Sequence, residues 1–116
     1  MIRLYKKELR RLKIGQKLAL VIILENGKKI TTYHEYIGTK KLKDPIYSSY
    51  GRFLSLKNLK TNKEEYFFIK SIGQKNQKKW NIVYGLNDGS WHYVTRKYLA
   101  KLSNVDQSNM IANLLS

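Results

Sequence analysis

The sequence contains no cysteine, which excludes a disulfide framework and a zinc site with thiolate ligands. It contains one proline, and no stretch with the composition of a linker divides the chain. The longest apolar run, residues 18–24, has seven residues, whereas a membrane-spanning helix needs roughly 20. No apolar stretch of signal-peptide length follows the first basic residues. We therefore expect one cytoplasmic domain over residues 1–116 that does not contact a membrane.

Acidic residues are scarce: eight Asp and Glu stand against 23 Lys and Arg, which gives a net charge of +15. This excess repels itself in a compact chain, and an anionic partner would neutralise it. Hydrophobic residues make up 42% of the chain, enough to build a core, so this is a folded domain rather than a basic tail. The composition therefore predicts nucleic acid as the partner, with DNA and RNA both open.

The positive charge is unevenly distributed along the chain. Residues 1–17, 38–60 and 75–101 carry net charges of +6, +5 and +5, whereas residues 18–37 and 61–74 are neutral overall. If the fold brings the three basic windows together, they form one basic face. If it does not, they form a generally solvated cationic surface.

The first residues predict a short amphipathic helix over residues 1–14. Tyr5, Leu9 and Leu12 recur at helical spacing, and basic residues fill the other faces. Gly15 ends this pattern. The basic residues that we assign to nucleic-acid binding here are Arg3, Lys6, Lys7, Arg10 and Arg11.

The centre of the chain predicts an antiparallel meander of strands. Residues 16–24 and 29–37 are strand-like, and Asn26 and Gly27 between them supply the positive φ angles of a tight hairpin turn. Further strand-like runs occupy residues 52–57, 64–72, 79–86 and 90–94.

The end of the chain predicts helical structure. Thr95 can cap a short helical turn through Lys101, and Ser103 with Asp106 resembles the capping box of a last helix. The apolar stripe of that helix would consist of Met110, Ile111, Leu114 and Leu115.

Together these elements predict a mainly β protein of the α+β class. We expect a small antiparallel SH3-like or rolled β-barrel with a short N-terminal helix and a C-terminal helix. Its parts would be a basic helix over residues 1–14, a β-meander barrel over residues 16–95 and a helical tail over residues 96–116.

Residues 80–99 resemble the closing part of bacterial SH3-type barrels. The features shared with that family are Trp80, Val83, the turn glycine Gly89, the pair Tyr93-Val94 and the pair Tyr98-Leu99. The resemblance implies a barrel. The cell-wall ligands that some members of the family bind are not expected here, because the sequence shows no features of secretion.

The segment from residue 40 to residue 52 is the strongest candidate binding site. It combines an irregular, proline-containing composition with basic and aromatic residues, so lysines would contact phosphates and tyrosines would stack on unpaired bases. Alternatively, the two tyrosines pin this loop to the barrel. The candidate residues are Lys40, Lys41, Lys43, Tyr47, Tyr50 and Arg52, and the last basic window adds Lys78, Lys79, Arg96 and Lys97.

The remaining aromatic residues are more typical of packing than of base stacking. Neighbours in a strand face opposite sides, so one of Phe67 and Phe68 would be exposed. The residues expected to pack in the core are Trp80, Trp91, Tyr93 and Phe53.

The sequence contains no strong catalytic pattern. His34, Glu35, Arg52 and His92 could supply the base, acid and cation of a metal-independent ribonuclease, but nothing in their spacing requires it. Two histidines without cysteine make a poor metal site, so we expect no metal and no cofactor. We predict a non-catalytic nucleic-acid-binding protein. The alternatives are an inhibitor or adaptor of phage or mobile-element type that docks on a host nucleoprotein machine, and an endoribonuclease toxin. The oligomeric state stays open.

Overall fold

The computed structural model describes most of the chain. For residues 82–86 and 91–94 it describes the backbone alone. The described residues are 1–24, 26–43, 50–69, 82–86, 91–94 and 97–116. The elements in chain order are β1 (Ile2–Leu4), α1 (Lys6–Leu9), β2 (Lys17–Ile23), β3 (Lys29–Lys43), β4 (Tyr50–Asn58), β5 (Glu64–Phe68), β6 (Ile82–Leu86), β7 (Trp91–Val94), β8 (Lys97–Lys101) and α2 (Asn104–Leu115).

All strands belong to one antiparallel sheet with the order β1-β8-β2-β3-β4-β5-β6-β7. The mainly β class is therefore confirmed. The predicted closure into a barrel is wrong, because β1 and β7 lie at opposite ends of this order and no pairing joins them in the described residues. The resemblance to SH3-type barrels stays a prediction.

The first hairpin lies where it was predicted, but Gly27 and not Asn26 takes a positive φ, and its second strand is longer than expected. Gly27 adopts φ +84° in the turn, and β3 continues to Lys43 instead of ending at residue 37. Beyond a bulge between Tyr36 and Gly38, β3 pairs with β4 as far as Lys43 opposite Tyr50. The predicted loop over residues 40–52 is therefore wrong at both ends, which are strands, and residues 44–49 lie outside the described part.

The N-terminal helix is much shorter than predicted. Residues 6–9 alone are helical, and Ile2–Leu4 form an edge strand that pairs with β8. As a strand, this segment forms backbone hydrogen bonds with β8. A short isolated helix is only marginally stable in water, so the strand is favoured. Leu4 and Leu9, on either side of the break, both enter the core.

The structure changes one prediction at the end of the chain and confirms another. Residues 97–101 form strand β8 between β1 and β2, not a helical turn, because β8 buries Leu99 on one face of the sheet and Ala100 on the other. The capping box is confirmed, with the Asp106 amide donating to Ser103 Oγ at 3.2 Å.

The core lies on both faces of the sheet. One face carries the larger cluster, which includes Leu18, Leu54, Leu56 and Phe67. On the other face, α2 inserts Met110 against the sheet; this smaller cluster contains Ala19, Leu102 and Met110, with Tyr33, Leu59 and Leu114 packed against it.

The β4–β5 pair contains a close packing contact around Phe68. Phe67 and Phe68 face opposite sides, as predicted: Phe67 is buried, and the half-buried Phe68 stacks on buried Phe53 at 5.1 Å between ring centroids. Gly51 lies beside this stack. A Cβ atom at Gly51 would approach Phe68 Cε2 to 2.5 Å, so the stack requires glycine at this position.

Replacing Gly51 with alanine should therefore destabilise the fold by about 1–3 kcal/mol, because the methyl group forces the Phe68 ring to move. Urea denaturation measures this loss. The additional substitution Phe68→Leu should recover part of it, whereas Thr39→Ala, at an exposed position of β3, should change little. Equal stabilities of Gly51→Ala and the parent would contradict this packing.

Candidate nucleic-acid interface

The outer half of the β3–β4 pair places basic and aromatic side chains on one face. Lys41 lies opposite Arg52, and Lys43 lies opposite Tyr50. Residues directly opposite each other in an antiparallel pair share a face, as do residues two apart in one strand. We call these four residues the hairpin patch. The Lys41 ammonium lies 6.0 Å from the centroid of the Tyr50 ring.

The side chains of the hairpin patch are available to a ligand. Tyr50 is 67% exposed, and Lys41, Lys43 and Arg52 are exposed as well. Among the described residues, no carboxylate forms an ion pair with any of these three cations. Tyr50 therefore does not pin the hairpin to the core.

Lys40 lies on the other face and is already engaged. Its ammonium is 3.1 Å from Glu64 Oε1 and donates to the Tyr66 hydroxyl at 3.1 Å. These hydrogen bonds, to Tyr66 first and then to Glu64, raise the pKa of Lys40. The prediction that Lys40 acts together with Lys41 and Lys43 is therefore wrong, since neighbouring residues in a strand point to opposite faces.

The N-terminal segment supplies a second basic surface. We call its exposed residues the N-terminal patch. The patch consists of Lys6, Lys7, Arg10, Arg11 and Lys13. Arg3 differs from these: it is half-buried, and its guanidinium lies 5.0 Å from the ring centroids of both Tyr5 and Tyr98. Arg3, which was predicted to contact phosphate, therefore packs between two aromatic rings instead.

Tyr36 links the segment after the N-terminal patch to the strand that carries part of the hairpin patch. The Gly15 amide donates to the Tyr36 carbonyl at 2.8 Å, and the Tyr36 amide donates to the Gln16 carbonyl at 2.9 Å, which joins the end of the N-terminal patch to β3. On the other side, Tyr36 lies close enough to Arg52 for the guanidinium charge to act on its hydroxyl. Burial raises the pKa of Tyr36, and Arg52 opposes that rise.

In the described part of the third basic window, Lys101 is an exposed residue. Lys101, together with Arg11 and Lys13, lines a surface groove of about 410 Å³ whose apolar lining includes Leu4 and Leu12. Lys101 thus lies beside basic residues of the first window. The predicted binding residues that lie outside the described part are Tyr47, Lys78, Lys79 and Arg96.

Lys97 is a core residue, and its assignment to phosphate binding is wrong. It is 2% exposed, and its ammonium lies 5.2 Å from the centroid of the Phe67 ring. Burial lowers the pKa of Lys97 to about 8, and the nearby Glu65 carboxylate offsets part of this shift. Spacing in the sequence could not have shown this, because Lys101 is also two residues from Leu99 and is exposed.

His34 and Glu35 do not form a catalytic pair. His34 is fully buried, its Nε2 lies 2.9 Å from Thr32 Oγ1, and burial lowers its pKa to about 3, with a further contribution from Lys97. Glu35 faces the other side and pairs with Lys17. Arg52 belongs to the hairpin patch, and the side chain of His92 lies outside the described part.

The described residues contain no group of three or more His, Asp or Glu side chains placed to hold a metal ion. In the same part of the chain, no helix has the length and apolar character needed to cross a membrane. Compared with protein-family models, characterised proteins and solved structures, the chain shows no match. We therefore infer the function from the residues exposed on the surface.

The burial of Lys97 has a measurable consequence for stability. Between its folded pKa of about 8 and its ordinary value of 10.5, the unfolded chain holds a proton that the folded chain has lost. The free energy of unfolding should therefore rise with pH in this window. Urea denaturation should show a gain of about 1–2 kcal/mol from pH 7.5 to pH 9.5.

Lys97→Met should remove this gain, whereas Lys101→Met, at an exposed position of the same strand, should retain it. The same pH dependence in the parent and in Lys97→Met would show that Lys97 does not titrate in this window.

Proposed function

We propose that this protein binds nucleic acid without catalysis, by contacts of the hairpin patch and the N-terminal patch with phosphates and by stacking of Tyr50 on an unpaired base. The observation that carries the proposal is the hairpin patch, where an exposed tyrosine lies on one face with three cations that have no carboxylate partner among the described residues.

The chemistry of these residues suits a strand of nucleic acid. Lysine and arginine contact phosphates irrespective of sequence. Lys41 and Lys43 are two residues apart, about 7 Å along the strand, so they can contact different phosphates. A tyrosine ring offers a flat surface on which any base can stack. The combination favours a strand with unpaired bases.

The described helices do not favour sequence readout in the major groove of duplex DNA. A recognition helix presents polar and basic side chains to base edges over several turns. Helix α1 has four residues, and the one charged residue in α2 is Asp106. Binding would therefore depend on the phosphate backbone and on stacking.

Binding to short single-stranded oligonucleotides should weaken steeply as salt rises. We expect a log–log slope of about −3 to −7 for affinity against salt, which corresponds to roughly four to eight phosphates. The triple variant Lys41→Gln, Lys43→Gln and Arg52→Gln should bind more weakly and make the slope shallower by about two to three. Fluorescence anisotropy at several salt concentrations measures both values.

The matched control neutralises Lys28, Lys60 and Lys63, which are exposed residues of other turns. It removes the same charge and should reduce affinity much less than the hairpin variant. Equal losses in the two variants would mean that the total charge, not the hairpin patch, binds the strand. No binding at low salt would exclude the proposed function.

Replacing Tyr50 with alanine should lower single-strand affinity by roughly fivefold to 150-fold. This range corresponds to the loss of about 1–3 kcal/mol of binding free energy, which is typical of one stacked base. Tyr50→Phe should bind as the parent does, because stacking uses the ring. Thermal unfolding should be unchanged, since Tyr50 is exposed. A lower melting temperature with unchanged affinity would assign Tyr50 to packing.

A further inference from the structure

Helix α2 is apolar on two opposite sides. Its inner side packs Met110 and Leu114 against the sheet. Its outer side leaves Val105, Ile111 and Leu115 exposed by 70%, 56% and 83%. A helix at the surface of a protein normally presents polar residues to solvent. The outer side of α2 is therefore a surface without a partner in the described structure.

The spacing on the outer side is that of a helix-pairing seam. Val105, Ser108, Ala112 and Leu115 follow each other at intervals of three, four and three residues, the repeat of the a and d positions of a coiled coil. At 100° per residue they occupy an arc of about 80°, opposite Met110. Ile111 borders this arc. We call these five residues the α2 stripe.

We propose that the α2 stripe binds the same stripe of a second copy of this chain, with the two helices antiparallel about a two-fold axis. Four positions of the stripe, residues 105, 108, 112 and 115, are spaced symmetrically about position 110. An antiparallel pair centred there sets Val105 against the partner's Leu115 and Ser108 against the partner's Ala112. The small residues then meet at the centre, where the two helices can approach closely, and the larger apolar residues meet at both ends.

The α2 stripe itself carries no charged side chain, so two copies of the chain can meet on this face. Each copy carries +15, so approach through its basic surfaces is repulsive. From residue 102 onward the one ionisable side chain is Asp106, which caps its own helix through Ser103 and lies away from the stripe. An antiparallel pair also sets opposite ends of the helix dipoles beside each other, which is favourable.

The size of the stripe predicts weak association. Helix α2 has 12 residues and is about 18 Å long, and a pair of such helices buries less than the roughly 1,200 Å² of a standard interface. Dimers should therefore form at high protein concentration. Salt should strengthen them, because it screens the repulsion between two +15 copies and leaves the apolar contact intact. Nucleic-acid binding has the opposite salt dependence, so the two properties can be separated.

Sedimentation velocity of the protein without nucleic acid, over a concentration series in 0.1 M and 0.5 M NaCl, tests the proposal. The parent should shift from monomer toward dimer with concentration, and further at high salt. Val105→Lys with Leu115→Lys should stay monomeric. Gln107→Lys with Asn113→Lys adds the same charge at exposed helix positions farther from the α2 stripe and should still dimerise. A parent that stays monomeric at both salt concentrations would overturn the proposal, and the stripe would then belong to a different partner.

Disulfide trapping tests the orientation, because the chain has no cysteine of its own. Mixing Val105→Cys with Leu115→Cys should give a crosslinked dimer under mild oxidation. Val105→Cys alone should not crosslink, since two copies of position 105 lie about 15 Å apart in the antiparallel pair, and a disulfide needs Cα atoms within about 7 Å. Crosslinking of Val105→Cys with itself, but not with Leu115→Cys, would overturn the antiparallel arrangement.

Discussion

The long antiparallel pairing of β3 with β4 is the constraint on which the rest of the structure depends. Leu56, before the bulge between Tyr36 and Gly38, and Leu54, beyond it, are both buried in the core. Farther along the same pair, residues 41–43 and 50–52 carry the hairpin patch. The same ladder therefore joins stability to the proposed function, because the register that buries the leucines also sets Lys41 beside Arg52.

The local elements of this fold could be predicted where the signal lies in a few adjacent residues. Asn26-Gly27 predicted a hairpin turn, and Ser103 with Asp106 predicted a capping box; both are present. The errors arose where a distant strand determined the outcome. Residues 2–4 fell within a predicted helix and residues 97–101 within a predicted helical turn, but the two segments pair with each other across almost the whole length of the chain, and this pairing gives them strand structure.

The candidate site could be predicted in its composition but not in its geometry. The charge windows indicated which segments are basic, and the assignment of binding to the segment around residues 40–52 stays a prediction. The net charge of a sequence window does not show the direction in which each side chain points. Lys40 and Lys41 are neighbours, yet Lys40 binds Glu64 while Lys41 lies beside Tyr50. The sequence alone indicated that Lys97 is a surface cation, but in the sheet its ammonium lies over the Phe67 ring. Strand register, which depends on distant pairing, decides between these outcomes.

The proposed function requires that the hairpin patch contacts the nucleic acid. Backbone amide chemical shifts, recorded by NMR as a short oligo-dT or oligo-U strand is added at low salt, test it most directly. We predict that the largest changes in chemical shift occur in the hairpin patch, at Lys41, Lys43, Tyr50 and Arg52. Smaller changes should occur along the N-terminal patch. Changes confined to the β4–β5 turn or to α2, with the hairpin amides unmoved, would contradict it.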